Sequence, residues 1–139
     1  MILMGDKNRK ITFILAGLSA ALVIGAIVVG ISDNIPGIVL CLTAVILLFI
    51  AFTHSWRELK KFLILTGASL GGFFLFVLLH NVFYGLGVIT GGIPVVSQFM
   101  EFSHAAFFCI ALFVCPPGFV VGAVASIVLG IKKLRDKQR

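Results

Sequence analysis

Four long intervals without a charged residue constrain the fold of this chain more than any other feature. They cover residues 11–32, 34–56, 62–100 and 102–131. A block of about 20 apolar residues is long enough to cross the hydrocarbon core of a bilayer as a helix. Hydrophobic residues make up 60% of the 139 residues and charged residues only 12%, whereas about a quarter of a soluble domain is charged. The sequence therefore predicts an all-α integral membrane protein.

We predict one polytopic membrane domain, residues 1–139, that folds as a four-span helical bundle. The first apolar block is longer than the apolar core of a secretory signal and lacks a clear cleavage site before the second block. We therefore expect it to be retained as a span. The four predicted spans cover about residues 11–31, 36–53, 59–84 and 104–131.

The region between the third and fourth spans is predicted to contain an amphipathic extracytoplasmic segment. Residues 85–93 include four glycines and are expected to lack regular structure. From Pro94 onward the apolar residues recur at helical spacing. We predict that the last span is kinked at Pro116-Pro117, because each proline removes a backbone donor. A fifth span within residues 93–114 is the alternative, but it would move the basic C-terminal tail to the other side of the membrane.

The basic residues are segregated along the chain, and this predicts the orientation of the spans. Every Lys and Arg lies in residues 7–10, 57–61 or 132–139, whereas the other two polar segments carry only Asp33 and Glu101. Basic residues that flank spans stay on the cytoplasmic side, so we expect a cell-membrane protein with both termini in the cytoplasm. Nucleic acid is not an expected partner, because the basic residues flank spans and do not form one soluble face.

The C-terminal tail has a second possible role besides setting orientation. Basic residues next to a span attract anionic lipids of the bilayer. Five residues are candidates for this contact: Lys132, Lys133, Arg135, Lys137 and Arg139.

Small residues recur at every fourth position in three of the predicted spans. Such spacing lets two helix backbones approach closely, and helix packing in lipid depends on contacts of this kind. The partner helix can belong to the same chain or to another one. The candidate packing residues are Gly17, Ala21 and Gly25 in the first span, Gly67 and Gly71 in the third, and Gly118, Gly122, Ser126 and Gly130 in the fourth.

His80, His104 and Glu101 are the residues with the best potential for chemistry. All three map near the predicted outer surface, where imidazole and carboxylate groups could bind a divalent metal or two histidines could hold a haem. Polar residues are also common at that rim without any such role. We expect the two histidines to diverge, and we predict no bound metal and no cofactor.

The sequence also hints at an internal duplication. Residues 10–21 resemble residues 60–71, and residues 36–48 resemble residues 117–129. Each pair has the same predicted direction, as in the parallel repeats of some transporters. Chance similarity between apolar helices is the alternative explanation.

Three classes of function are compatible with these features. The short connections, the small-residue faces and the absence of charge in the middle of the spans favour a non-enzymatic subunit or scaffold that packs with itself or with other membrane subunits. A small homo-oligomeric channel or transporter is the alternative, because a helix broken at Pro116-Pro117 could direct its positive end at a ligand. A metal- or haem-handling protein that uses His80 and His104 is the second alternative.

Overall fold

The computed structural model describes residues 6–31 and 34–138, and its secondary structure within those ranges is helical. The predictions for Asp33 and Arg139 therefore lie outside the described residues. A single π-helical turn, Ile110–Val114, joins two of the helices. The elements are α1 (Asp6–Val29), α2 (Ile35–Thr53), α3 (Leu59–Ile89), α4 (Pro94–Cys109) and α5 (Cys115–Lys137).

Among the described residues, four helical stretches are long and apolar enough to cross a membrane. They are Asp6–Val29, Ile35–Thr53, Leu59–Ile89 and the unbroken stretch Pro94–Lys137. The prediction of an all-α chain with four spans is confirmed at this level. The architecture is that expected of a small multi-pass membrane protein.

The third helix is longer than predicted. It ends at Ile89 and not near Tyr84, so Gly85 and Gly87 are helical. A Cβ built on Gly87 would lie 3.5 Å from the Cβ of Met100, so α4 passes close to α3 at this position. The predicted irregular connection shrinks to the short turn between α3 and α4.

The last helical stretch passes through the double proline without ending. The π turn Ile110–Val114 comes directly before it, and Pro116 and Pro117 occupy the first turn of α5. Both prolines lack a backbone N–H, so neither can donate a helical hydrogen bond to a carbonyl of the preceding turn. A π turn adds one residue to the helical ladder and is itself a common site of bending. The predicted kink at this site stays a prediction.

The helices form an open row in the order α1, α2, α5, α3. Among the described residues, α1 approaches only α2, and α2 approaches α5 and the π turn but not α3. Helix α4 packs against the second half of α3, and α5 packs antiparallel along the first half. The four predicted spans therefore form an open arrangement among the described residues.

The α1–α2 hairpin is held by a seam of small residues that recur every seven positions. Oγ1 of Thr12 donates to the carbonyl oxygen of Asn8 in its own helix at 3.0 Å and also lies 3.3 Å from the carbonyl oxygen of Ala51. The hydroxyl of Ser19 donates to the carbonyl oxygen of Ala44 at 2.7 Å. A step of seven along α1 thus matches a step of seven back along α2, which is the repeat of a coiled coil. The residues seven positions further along the seam, Ala26 on α1 and Gly37 on α2, are also buried.

Two glycines permit the tight reversal between α1 and α2. Gly30 has φ of +93°, a conformation that side chains with a Cβ rarely adopt. Gly37 lies so close to the carbonyl group of Gly30 that a Cβ on Gly37 would collide with it. The side-chain amide of Asn34 donates to the carbonyl oxygen of Val29 at 2.8 Å, which satisfies one of the free carbonyls at the end of α1.

Candidate functional site

The α3–α5 seam contains two of the predicted packing glycines. A Cβ on Gly122 would lie 2.6 Å from Oγ1 and 2.9 Å from the backbone nitrogen of Thr66. A Cβ on Gly118 would lie 2.5 Å from Oγ of Ser69 and 3.0 Å from Cζ of Phe49 in α2. Gly118 is therefore at the point where α2, α3 and α5 meet, and both glycines are buried.

The other predicted packing residues have different surroundings. The hydroxyl of Ser126 is buried without a hydrogen-bond partner in the described part of the chain. A Cβ on Gly25 would lie 3.9 Å from Cδ1 of Leu40. Ala21 is exposed. A Cβ on any of the remaining four would meet no atom within 4 Å, and these residues are Gly17, Gly67, Gly71 and Gly130.

His80 and His104 are neighbours, and our expectation that they diverge was wrong. Their ring centroids are 5.3 Å apart, and Nδ1 of His80 is 2.9 Å from the backbone carbonyl oxygen of His104. The rings of Phe108 and Tyr84 lie at 5.2 Å from His80 and 5.6 Å from His104, respectively. The helices converge here because the turn after Ile89 folds α4 directly back along α3.

The hydrogen bond of His80 fixes the proton on its ring. A carbonyl oxygen can only accept, so Nδ1 of His80 must carry the hydrogen. Nε2 of the neutral ring then holds the lone pair. The interaction ties α3 to α4 directly, which gives His80 a structural role whether or not it has another.

A cavity of about 200 Å³ lies beside this pair of rings, between α3 and α4. Glu101, His104 and Ser97 line it from α4, and Tyr84 lines it from α3. The cavity could hold a small polar molecule. Within residues 6–31 and 34–138, no three His, Cys, Asp or Glu side chains are close enough together to hold a metal ion.

The basic residues gather at one end of the molecule, which we call the basic end: the start of α1, the turn between α2 and α3, and the end of α5. The Thr12–Ala51 contact places the start of α1 beside the end of α2. At this end Lys61 pairs with Glu58 at 2.9 Å, and Asp6 pairs with two basic residues of its own helix at 3.1 Å. The four tail residues within the described range are exposed: Lys132, Lys133, Arg135 and Lys137.

A larger apolar cleft opens at the same end, and the sequence analysis missed it. We call it the basic-end cleft: a cavity of about 460 Å³ between α2 and α5, with Trp56 and Phe62 among its lining residues. The rings of Trp56 and Phe62 are 5.4 Å apart. Its remaining walls are mostly branched aliphatic side chains, including Ile50, Val124 and Val128. The only hint in the sequence is that His54 and Trp56 lie in the loop between α2 and α3, a position typical of interfacial residues.

His54 lines this cleft and has a buried ring nitrogen without a hydrogen-bond partner among the described residues. Its Nδ1 lies 2.9 Å from the carbonyl oxygen of Ala51, so by the argument used for His80 this nitrogen carries a hydrogen. Its Nε2 is buried and has no hydrogen-bond partner within the described ranges. A buried polar atom without a partner is costly, which marks this position as one where a ligand group could be accommodated.

The site residues thus form three separate groups: the α3–α5 seam, the histidine pair with its small cavity, and the basic-end cleft. Comparison with known proteins finds no family model, no curated relative and no solved structure that matches this chain.

Proposed function

We propose that this protein is a non-enzymatic subunit of a membrane assembly, formed with itself or with other membrane subunits, and that both of its termini are cytoplasmic. One observation carries the proposal: α1 packs on α2 alone among the described residues, so most of its surface is uncovered. Val28 and Phe13 of α1 are 80% and 70% exposed. An end helix with only one neighbour offers room for a second chain.

The uncovered face of α1 is also suited to close contact. Successive residues of an α-helix are about 100° apart, so Gly17 and Ala21, two positions either side of the buried Ser19, lie on the face opposite α2. Both are exposed. The same relation holds in α3, where the exposed Gly67 and Gly71 flank a buried serine. Small residues in lipid favour close approach of another helix.

The test is the mass of the native particle in mild detergent. We expect a defined assembly larger than the 14.9 kDa monomer. The double substitution Gly17→Leu and Ala21→Leu should shift the particle toward the monomer, because two leucines would hold the partner helix away. Ala20→Leu is the matched control, since Ala20 is exposed on α1 but lies off the face opposite α2.

Two results would contradict the proposal. One is a monomeric wild-type protein over the whole accessible concentration range. The other is a double variant that assembles as well as the wild type and Ala20→Leu do.

A homo-oligomeric channel or transporter is the second candidate. The π turn Ile110–Val114 favours it, because such turns occur often at functional sites within helices. An open row of helices cannot enclose a pore by itself, so this function requires a closed ring of identical chains. The same measurement of particle mass can distinguish the two candidates. A component of different mass in the particle would favour the subunit of a mixed assembly over a ring of identical chains.

A further inference from the structure

The basic-end cleft has the dimensions of a ligand site. Its volume of about 460 Å³ is within the range of about 300–1,000 Å³ that is usual for small-molecule pockets. Such pockets are lined mainly by apolar side chains with a few placed polar groups. Here the apolar walls come from α2, α3 and α5, and the placed polar group is the buried Nε2 of His54.

The cleft lies close to basic side chains, and this indicates what kind of ligand would fit it. Val128 lines the cleft, and Lys132 follows on the same helix after about 6 Å of helical rise. On the other side, Arg57 comes directly after Trp56, which also lines the cleft. Cationic side chains therefore stand at the basic end beyond both walls of an apolar groove. The matching ligand has a long apolar part and an anionic head.

We propose that the basic-end cleft binds one anionic phospholipid, with an acyl chain between α2 and α5 and the phosphate beside Lys132 and Arg135. The apolar chain replaces water in the groove, and the basic residues at its mouth meet the phosphate. Nε2 of His54 then finds a partner as an acceptor from a hydroxyl of the lipid headgroup. This inference does not depend on the assembly proposed above.

The experiment is native mass spectrometry of the full chain in detergent, titrated with phosphatidylglycerol or phosphatidylcholine of the same acyl chains. We expect one phosphatidylglycerol to be retained at an about 25-fold lower lipid concentration than phosphatidylcholine, since each of two rim charges contributes about fivefold. Lys132→Gln together with Arg135→Gln should remove this preference. His54→Phe, which keeps the bulk of the ring and removes Nε2, should weaken retention severalfold.

A variant that fills the cleft separates this site from general attraction to the basic tail. Ala125 lines the cleft, so Ala125→Phe should prevent retention of phosphatidylglycerol although every basic residue is intact. Ile127→Phe is the matched control, because Ile127 is on the same helix, is 62% exposed and does not line the cleft. Circular dichroism and thermal unfolding check that both variants fold.

Several outcomes would overturn the proposal. Equal retention of phosphatidylglycerol and phosphatidylcholine would show that lipid binds without preference for an anionic headgroup. Equal retention by Ala125→Phe and Ile127→Phe would move the site out of the cleft. A lipid-free dimer that is lost in Ala125→Phe would make a second copy the occupant. If Ala125→Phe does not fold, an unchanged lipid preference in the Lys132→Gln, Arg135→Gln variant is by itself sufficient to reject the site.

Discussion

Ser19 and Ser126 both have a buried hydroxyl oxygen, but only one of the two hydroxyls has a hydrogen-bond partner, and this gives a prediction at the scale of the single residue. The hydroxyl of Ser19 donates to the carbonyl oxygen of Ala44 at 2.7 Å, whereas the hydroxyl of Ser126 has no partner among the described residues. Ser19→Ala should therefore lower the free energy of unfolding by about 0.5–1.5 kcal/mol. Ser126→Ala should be neutral or stabilising, because it removes a polar group that is buried without compensation.

Thermal unfolding of the two variants in the same detergent measures this difference. Each substitution removes one hydroxyl oxygen from a small side chain, so each is the control for the other. Equal losses of stability would show that the Ser19 bond contributes nothing specific to the α1–α2 seam.

The contact between His80 and His104 could not be predicted from the individual residues. Composition and position placed His80 and His104 at the same level, and the prediction that they diverge rested only on polar residues being common at such a rim. Because α3 continues through Gly85 and Gly87 to Ile89, α4 begins one short turn later and lies alongside it. Whether two side chains on adjacent helices meet depends on the register of those helices, which no single residue reveals.

At the scale of the helices, the seams follow two different small-residue patterns. The stripe predicted in the last span, with a period of four, includes the buried Gly118 and Gly122. The α1–α2 seam instead has a period of seven, and its buried members, such as Ser19 and Ala26, were not predicted. The sequence contained this signal, but it is visible only when both helices are aligned antiparallel.

Gly122 should be the least replaceable residue of the α3–α5 seam. A Cβ there would press on the backbone nitrogen of Thr66 at 2.9 Å, and backbone cannot move aside as a side chain can. We expect Gly122→Leu to lower the free energy of unfolding by about 1–3 kcal/mol, as overpacking does elsewhere. Gly130→Leu is the matched control, because a Cβ on Gly130 meets no atom within 4 Å. The measurement is thermal unfolding in detergent. Equal midpoints for Gly122→Leu and Gly130→Leu would contradict the close packing of α3 against α5 at Gly122.

The sequence repeat relates the α1–α2 pair of helices to the α3–α5 pair, and the packing of these two pairs can be compared. Ser19 and Ser69 occupy equivalent positions in the sequence repeat, and both are buried in the seams of their hairpins. Yet Ser19 bonds to Ala44, while Ser69 lies against Gly118. The repeat equivalent of Gly118 is Gly37, seven residues before Ala44. The two hairpins thus pack with registers that differ by one heptad, and duplication stays a prediction.

At the scale of the whole molecule, the number of spans could be predicted but their arrangement could not. Long uncharged intervals require helices, since every backbone polar group in lipid must be satisfied within the segment. The order α1, α2, α5, α3 depends on which uncovered faces meet, and all of these faces are similarly apolar. The basic-end cleft was missed for the same reason: it exists because α2 and α5 meet near Gly118 and leave a gap toward Val128.

We predict the orientation of the whole molecule in the membrane, with its basic end on the cytoplasmic side. The three basic segments gather at one end, so we expect Lys7, Lys60 and Lys137 on the cytoplasmic side and Gln98 outside, together with Asp33, which lies outside the described residues. Single cysteines at these positions, in a chain without its three native cysteines, can be tested with a membrane-impermeant maleimide on intact cells. Only Gln98→Cys and Asp33→Cys should react before the cells are opened.

The cysteine-free background needs its own control. Cys115 is buried in the α3–α5 seam, where its Sγ would lie 3.5 Å from a Cβ on Gly72, so Cys115→Ala leaves a small gap that thermal unfolding must show to be tolerated. Lys7→Cys and Lys137→Cys are then compared in the same background. Because an even number of spans returns the chain to the side on which it started, these two positions must react together. Reaction of Lys137→Cys alone from outside would require an odd number of spans and would exclude the four-span topology.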